Sequence, residues 1–446
     1  MKTFTCRVKK EIKKYIIFGM IFALYKNVIY YFIFRRSFKM GNINTGDTAL
    51  VLISAALVCL MTPGLAFFYG GLVRKKNVLT IMMQNFISMG VVTVIWIFGG
   101  FSLAFGKDIG GLIGNFQYFL LNGIGILPNP NYGSTIPFLA FFVYQEMFAV
   151  ITPALMTGAF ADRVNFKSYL KFLVFWSILI YVPVTHWIWG GGFLAKMGVV
   201  DFAGGIVVHV TAGVAALGTV IFVGKRKILP EENTSPHNIA FVALGTGLLW
   251  FGWFGFNGGS GLAANGVAAI AFANTDIAGS VAMIIWLIIS WTHEKRPSLV
   301  GSLTGAVAGL ATITPCAGYI EPWAAAIVGL LAAVVCYLAV ELRKKLDWDD
   351  ALDVWGVHGV GGILGSILVG VFASKSVNGV SGLIYGNVHQ FGVQLFAVAL
   401  TAVYSYAVTW GILKVVNVFD PIRVPEDVEI EGLDTAIHGE VAYDLL

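Results

Sequence analysis

Charge is what this sequence has least of. Of its 446 residues only 12% are Asp, Glu, Lys or Arg, against about 25% in soluble domains. A chain so poor in charge belongs in a membrane. The polar–apolar alternation of a membrane barrel is missing too: charges gather in short loops between long apolar runs, as in a helical bundle. The four cysteines, Cys6, Cys59, Cys316 and Cys336, show no metal-site spacing. Three lie in apolar runs, where cysteine acts as a small buried hydrophobe. The net charge of +5 is spread over many loops, which marks topology rather than nucleic-acid binding. On the outer side, no acidic cluster is available to hold a metal ion, and no polar constellation of the size a sugar or drug needs.

What is present is apolar and glycine-rich. Hydrophobic residues make up 57% of the chain and the mean hydropathy is +0.80. The 53 glycines would be costly in soluble helices, but small residues let membrane helices approach closely. Gly301, Gly305 and Gly309 form a small-xxx-small ridge, and Gly361 with Gly365 repeats it.

Residues 1–40 read as an extension ahead of a start at Met40, with a signal sequence or an extra span as alternatives. Basic residues flank an apolar run that Lys26 and Asn27 interrupt, and no small-residue cleavage site follows. The region 41–418 reads as the membrane domain. Spans are expected near 48–72, 78–105, 136–160, 168–188, 201–223, 238–257, 262–290, 299–316, 322–342, 351–373 and 390–416, eleven in all, each near the ~20 residues a crossing needs. Arg74, Lys75, Lys76, Arg163, Lys167, Lys225, Arg226, Lys227, Lys295, Arg296, Arg343, Lys344 and Lys345 fall in alternate loops, while the other loops hold Lys107, Lys196 and Lys375. The basic side is therefore expected to be cytoplasmic, with the first span starting outside. Residues 419–446 are acidic and form a cytoplasmic tail.

Two histidines stand out, His209 in DFAGGIVVH and His358 in DVWGVHGVGG. Ionisable side chains within spans mark pathways or relays. His209 lies about 12 Å into the fifth span and His358 about 10 Å into the tenth, entered from opposite faces of a hydrocarbon layer about 30 Å thick. Five spans separate them, so the second half is inverted relative to the first. An inverted five-helix repeat with a site at mid-membrane is a recurring transporter plan. Two core histidines satisfied by nearby hydroxyls or carbonyls remain the alternative. A metal site lacks a suitable third ligand, and Asp201 lies nearer the outer surface.

At the outer side the sequence offers Trp189 in HWIWGGG, Phe148 in YQEMFA, and Trp253, Phe256, Asn257 and Ser260 in GWFGFNGGS. Ring faces attract a small cation and a hydroxyl can accept its hydrogen bond. An interfacial aromatic belt explains the same residues.

The ordered set GLAFFYGGLVRKKN, HWIWGGG, DFAGGIVVH, GWFGFNGGS, TPCAGYI, DVWGVHGVGG and GLDTAIHGEVAY resembles the Amt/Rh/Mep ammonium transporters, in their prokaryotic Amt branch, over about residues 43–443. The resemblance implies eleven helices in an inverted repeat, a homotrimer with one pore per subunit in the plasma membrane, no catalysis and no cofactor. It implies ammonium recruitment by Trp189, Phe148 and Ser260, a phenyl gate of Phe148 and Phe256, and a pore lined by His209 and His358. Asp201 would give electrostatic support, and Asp353 matches a second structural aspartate. Ammonium, ammonia and methylammonium are the implied permeants, and a PII-type signal protein the implied partner at the tail. An ammonium receptor signalling through that tail, or a gas channel of the Rh type, are the competing readings. Glu146 and Asp276 depart from the family pattern. Each faces a subunit contact or vestibule, tunes the pore, or is simply a satisfied carboxyl.

Overall fold

The computed structural model describes residues 43–444 apart from 231 and 233, so the extension expected over 1–40 lies outside the described residues. Among the described residues, ten helices are long and apolar enough to cross a membrane: α1 Thr45–Leu72, α2 Lys75–Phe105, α3 Phe138–Gly158, α4 Phe166–Lys196, α5 Gly205–Val223, α6 Ile239–Gly261, α7 Gly266–Glu294, α9 Pro322–Lys345, α10 Trp355–Phe372 and α11 Val388–Phe419. The eighth expected span is α8, Leu299–Ile313, only 15 residues. That is about 22 Å, short of the roughly 30 Å hydrocarbon layer. Pro315 follows it closely and has no N–H to extend the ladder. Helix starts are capped by short polar side chains: Asn44, Asn265, Ser298 and Asn387 accept from backbone N–H groups of α1, α7, α8 and α11.

The helices divide into an inner and an outer set. In α3 and α5, 83% of the apolar window is buried, whereas α7 and α11 bury only 33%. The histidine-bearing α5 is thus central. Its contact with α10 depends on glycine: a Cβ added at Gly213 would lie 2.2 Å from Gly359 Cα. Missing side chains let the two backbones touch.

One end of the bundle gathers the basic loops. Arg74 pairs with Asp162 at 2.9 Å, and Arg226 with Asp349 at 2.7 Å. Burial acts against ionisation of Asp349, but Arg226 outweighs it and holds the carboxyl down at about 2. The chain after α11 folds back across this end. The Ile422 carbonyl accepts from Asn165 N–H. Glu429, fully buried, pairs with Arg423. The Asp434 carboxylate accepts from the backbone N–H groups of Leu79 and Thr80 and from the Thr80 hydroxyl. Asp434 therefore caps a start within α2 that no residue of α2 itself caps.

Candidate functional site

The site begins with two aspartates that start two helices. Asp201 Oδ1 accepts from the N–H groups of Gly204 and Gly205, and Oδ2 from those of Ile206 and Val207. A carboxylate there satisfies four orphan donors and faces the positive end of the helix dipole. The helix it starts opens with a π-helical turn, Gly205–Val210, which contains His209. Asp350 repeats the device in the other half. It accepts from Val354 N–H at 3.1 Å and Trp355 N–H at 2.7 Å, and the π-helical turn Trp355–Gly359 contains His358. Asp353, which the resemblance matched to a second structural aspartate, does not cap this start but pairs with Arg343 at 2.5 Å. The correction has a simple cause: Asp350 stands eight residues before His358, as Asp201 does before His209. Burial and the neighbouring Asp353 push the Asp350 carboxyl up to about 6. π turns recur at functional sites because they re-aim side chains.

These starts bring the two rings together. His209 Nδ1 and His358 Nδ1 lie 3.3 Å apart, with ring planes 16° from parallel. With both rings neutral only one of the two nitrogens can donate, which puts the proton on Nδ1 of one ring and on Nε2 of the other. The pair thus carries one Nε2 donor and one Nε2 acceptor. Among the described residues His209 Nε2 has no protein partner. Trp253 packs nearly parallel to His209, 19° off and 5.7 Å away, and its indole N–H is held by Thr314 Oγ1. The cavity at the pair is about 10 Å³, walled by apolar side chains such as Leu65, Ile151, Leu249 and Val307. That is about the room one water-sized molecule needs.

Phe256 also borders this cavity, and Phe148 lies over it with ring centroids 4.2 Å apart. Phe148 borders a second, wider cavity of about 390 Å³, which Trp189, Asp201 and Ser260 also line. The two phenyl rings therefore form the partition between vestibule and histidine cavity. Trp189 meets Phe148 edge to face at 89°, and its indole N–H donates to the Asp201 carbonyl at 2.8 Å. Asp201 thus anchors Trp189 through its main chain and α5 through its side chain, and its carboxylate is committed to the helix start.

Ser260 has a partner the sequence did not suggest. The Tyr144 hydroxyl lies 3.1 Å from Ser260 Oγ and 2.8 Å from the Phe256 carbonyl, to which Ser260 Oγ also donates. Tyr144 sits four residues before Phe148, one turn of α3, so the same helix that supplies the partition orients the hydroxyl. Gln145, Asn131 and Asn265 line the vestibule as well; nothing in their local sequence marked them. The two atypical acids stand apart from these cavities. Glu146 is buried against α2, where Thr93 Oγ1 donates to it at 2.6 Å, and Asp276 is exposed on α7.

A helical membrane bundle with an aromatic vestibule, a phenyl partition and a paired-imidazole cavity defines a multi-pass transport protein for something small. The Ammonium Transporter Family model matches residues 49–443, and the chain belongs to that family. It is 46% identical over 401 residues to the ammonium transporter of Bacillus subtilis, covering 89% of this chain and 98% of that one. It is 45% identical over 398 residues to the ammonium transporter Amt1 of Archaeoglobus fulgidus, covering 89% and 99%. Among solved structures it superposes on Candida albicans Mep2 with a TM-score of 0.80 at 35% identity, covering 86% and 88%. It also superposes on a sensor Amt protein with a TM-score of 0.81 at 31% identity, covering 88% and 98%.

Proposed function

We propose that the protein carries ammonium across the plasma membrane into the cytoplasm, with the vestibule outside and the basic end and tail inside. The observation that carries this reading is the narrow apolar cavity whose polar lining is the His209–His358 pair, closed from the vestibule by Phe148 and Phe256. A cation would pay a large desolvation cost there, whereas ammonia pays little. Ammonium is recruited between the rings of Trp189 and Phe148 and the oxygen of Ser260. It gives its proton to water in the open vestibule, and ammonia passes the phenyl rings. At the pair, ammonia accepts from one imidazole and donates to the other, and the same Nδ1–Nδ1 contact is a route for the proton. Potassium, of similar size and charge, can neither donate hydrogen bonds nor shed a proton. Asp201 supports recruitment through the position it gives Trp189.

Residues 41–418 form the transport domain of a homotrimer, and 419–446 the regulatory tail, the docking face for a PII-type signal protein. Methylammonium shares the path. Uptake of labelled methylammonium into vesicles tests the reading: flux above protein-free vesicles is expected. Tight binding with negligible flux would move the protein to the sensor class. Deleting 419–446 is expected to abolish PII-type binding while leaving flux.

A further inference from the structure

His186 ends the long part of α4, three residues before Trp189, and its ring is fully buried. Both ring nitrogens face oxygen. Nδ1 lies 2.8 Å from the Ala104 carbonyl of α2, and Nε2 lies 3.0 Å from Asp108 Oδ1. A carbonyl only accepts, so Nδ1 carries a proton. Asp108 is held as a carboxylate: Oδ1 also accepts from Gly111 N–H at 2.7 Å, and Oδ2 from the Lys196 ammonium at 2.5 Å. Nε2 must therefore donate as well. The Asp108 carboxyl is held down at about 2, first by His186 and then by Lys196, which agrees with a carboxylate.

The ring is packed against the turn that carries Trp189. A Cβ added at Gly190 would lie 2.0 Å from the Ala104 oxygen and 2.6 Å from His186 Nδ1. The His186 carbonyl accepts from Gly190 and Gly192 N–H. The hairpin Asp108–Ile109 with Ile113–Gly114 is tied to the same turn: Trp187 Nε1 donates to the Leu112 carbonyl and Phe193 N–H to that of Gly111. Trp189 also borders a cavity of about 550 Å³ on the hairpin side, beside Asp108 and Tyr132. Its indole is thus a wall between two compartments, set by a turn that this ring and hairpin clamp on one side.

We infer that His186 is a buried imidazolium that donates one hydrogen bond to the Ala104 carbonyl and one to Asp108, and that it is a positioning residue for Trp189. The second half rests on the reading of Trp189 as part of the recruitment site; the first half does not. Asp108 matches the buried charge of His186, while its second cationic partner, Lys196, is exposed to solvent. The clamp holds the indole where its N–H reaches the Asp201 carbonyl.

The test is 15N NMR of histidine-labelled native protein in lipid at near-neutral pH, with His186→Gln assigning the resonance. Both ring nitrogens of His186 are expected to be protonated, and Asp108→Asn is expected to remove that state. A neutral tautomer in the native protein would overturn the inference. In uptake assays, His186→Gln and Asp108→Asn are expected to raise the half-saturating methylammonium concentration about tenfold, with maximal rate within about threefold of native. Unchanged half-saturation in both variants would overturn the positioning role. If the native protein showed the imidazolium but carried no methylammonium, the transport reading would fail and the imidazolium would stand.

Discussion

Asp201 and Asp350 occupy matching places in the two halves: each is buried and accepts backbone N–H groups at the start of a π turn that bears a pore histidine. The relationship separates Asp350 from its neighbour Asp353, whose carboxylate goes to Arg343. Asp350→Ala is expected to cost about 1–2 kcal/mol of local stability and to lower methylammonium flux about tenfold or more by loosening His358. Asp353→Ala is expected to keep most of the flux. Equal losses in the two variants would mean that the cap does not set the ring.

Gly213 is expected to tolerate no side chain. A methyl there meets the Gly359 backbone at 2.2 Å, and neither backbone can yield without moving a histidine. Gly213→Ala should destabilise the protein by about 3 kcal/mol or more, read as a fall in thermal midpoint in detergent. Gly247, which has nothing within 4 Å of an added Cβ, is the control. Gly247→Ala should stay within about 0.5 kcal/mol of native.

Tyr144→Phe removes one hydroxyl and leaves the ring that packs on Phe148. Ser260 then keeps its bond to the Phe256 carbonyl but loses the second group that orients it. The half-saturating methylammonium concentration is expected to rise about fivefold while the maximal rate changes little, because the loss falls on binding rather than passage. A fall in maximal rate alone would contradict a recruiting role for Ser260.

Asp349 supplies a pH dependence at the basic end. Its carboxyl is held at about 2, below the ordinary 3.8, chiefly because Arg226 outweighs burial. A lowered carboxyl stabilises the fold above pH 3.8 and loses that contribution as pH falls towards 2. The contribution is of order 2 kcal/mol. Arg226→Gln should therefore lower the thermal midpoint at pH 6, and the gap from native should close between pH 4 and 2. A gap that widened on acidification would contradict the pairing.

The chain announced its membrane class through scarcity of charge and its spans through hydropathy, because both depend on composition over about 20 residues. It announced His209 and His358 because polar groups in such runs are conspicuous. The length of α8 was less legible: its hydrophobic run continues to Cys316, and only the backbone shows that the helix stops at Ile313. The π turns were invisible, since they are produced by tertiary contacts and caps rather than by local propensity. Asp350 was hidden among Asp347, Asp349 and Asp353, and the eight-residue spacing it shares with Asp201 gains meaning only once Asp201 is seen to start its helix. Tyr144 and His186 looked like ordinary helix residues, and their roles come from partners 116 and 78 positions away.

The central claim is that a small amine crosses the apolar cavity at the paired imidazoles without its charge. Flux into liposomes containing the native protein, His209→Ala or His358→Ala tests it most directly, with methylammonium and potassium compared in the same preparation. The account predicts methylammonium flux in the native protein, a loss of about tenfold or more in each variant, and no potassium flux in the native protein. Undiminished methylammonium flux in both variants, or potassium carried as fast as methylammonium by the native protein, would contradict it.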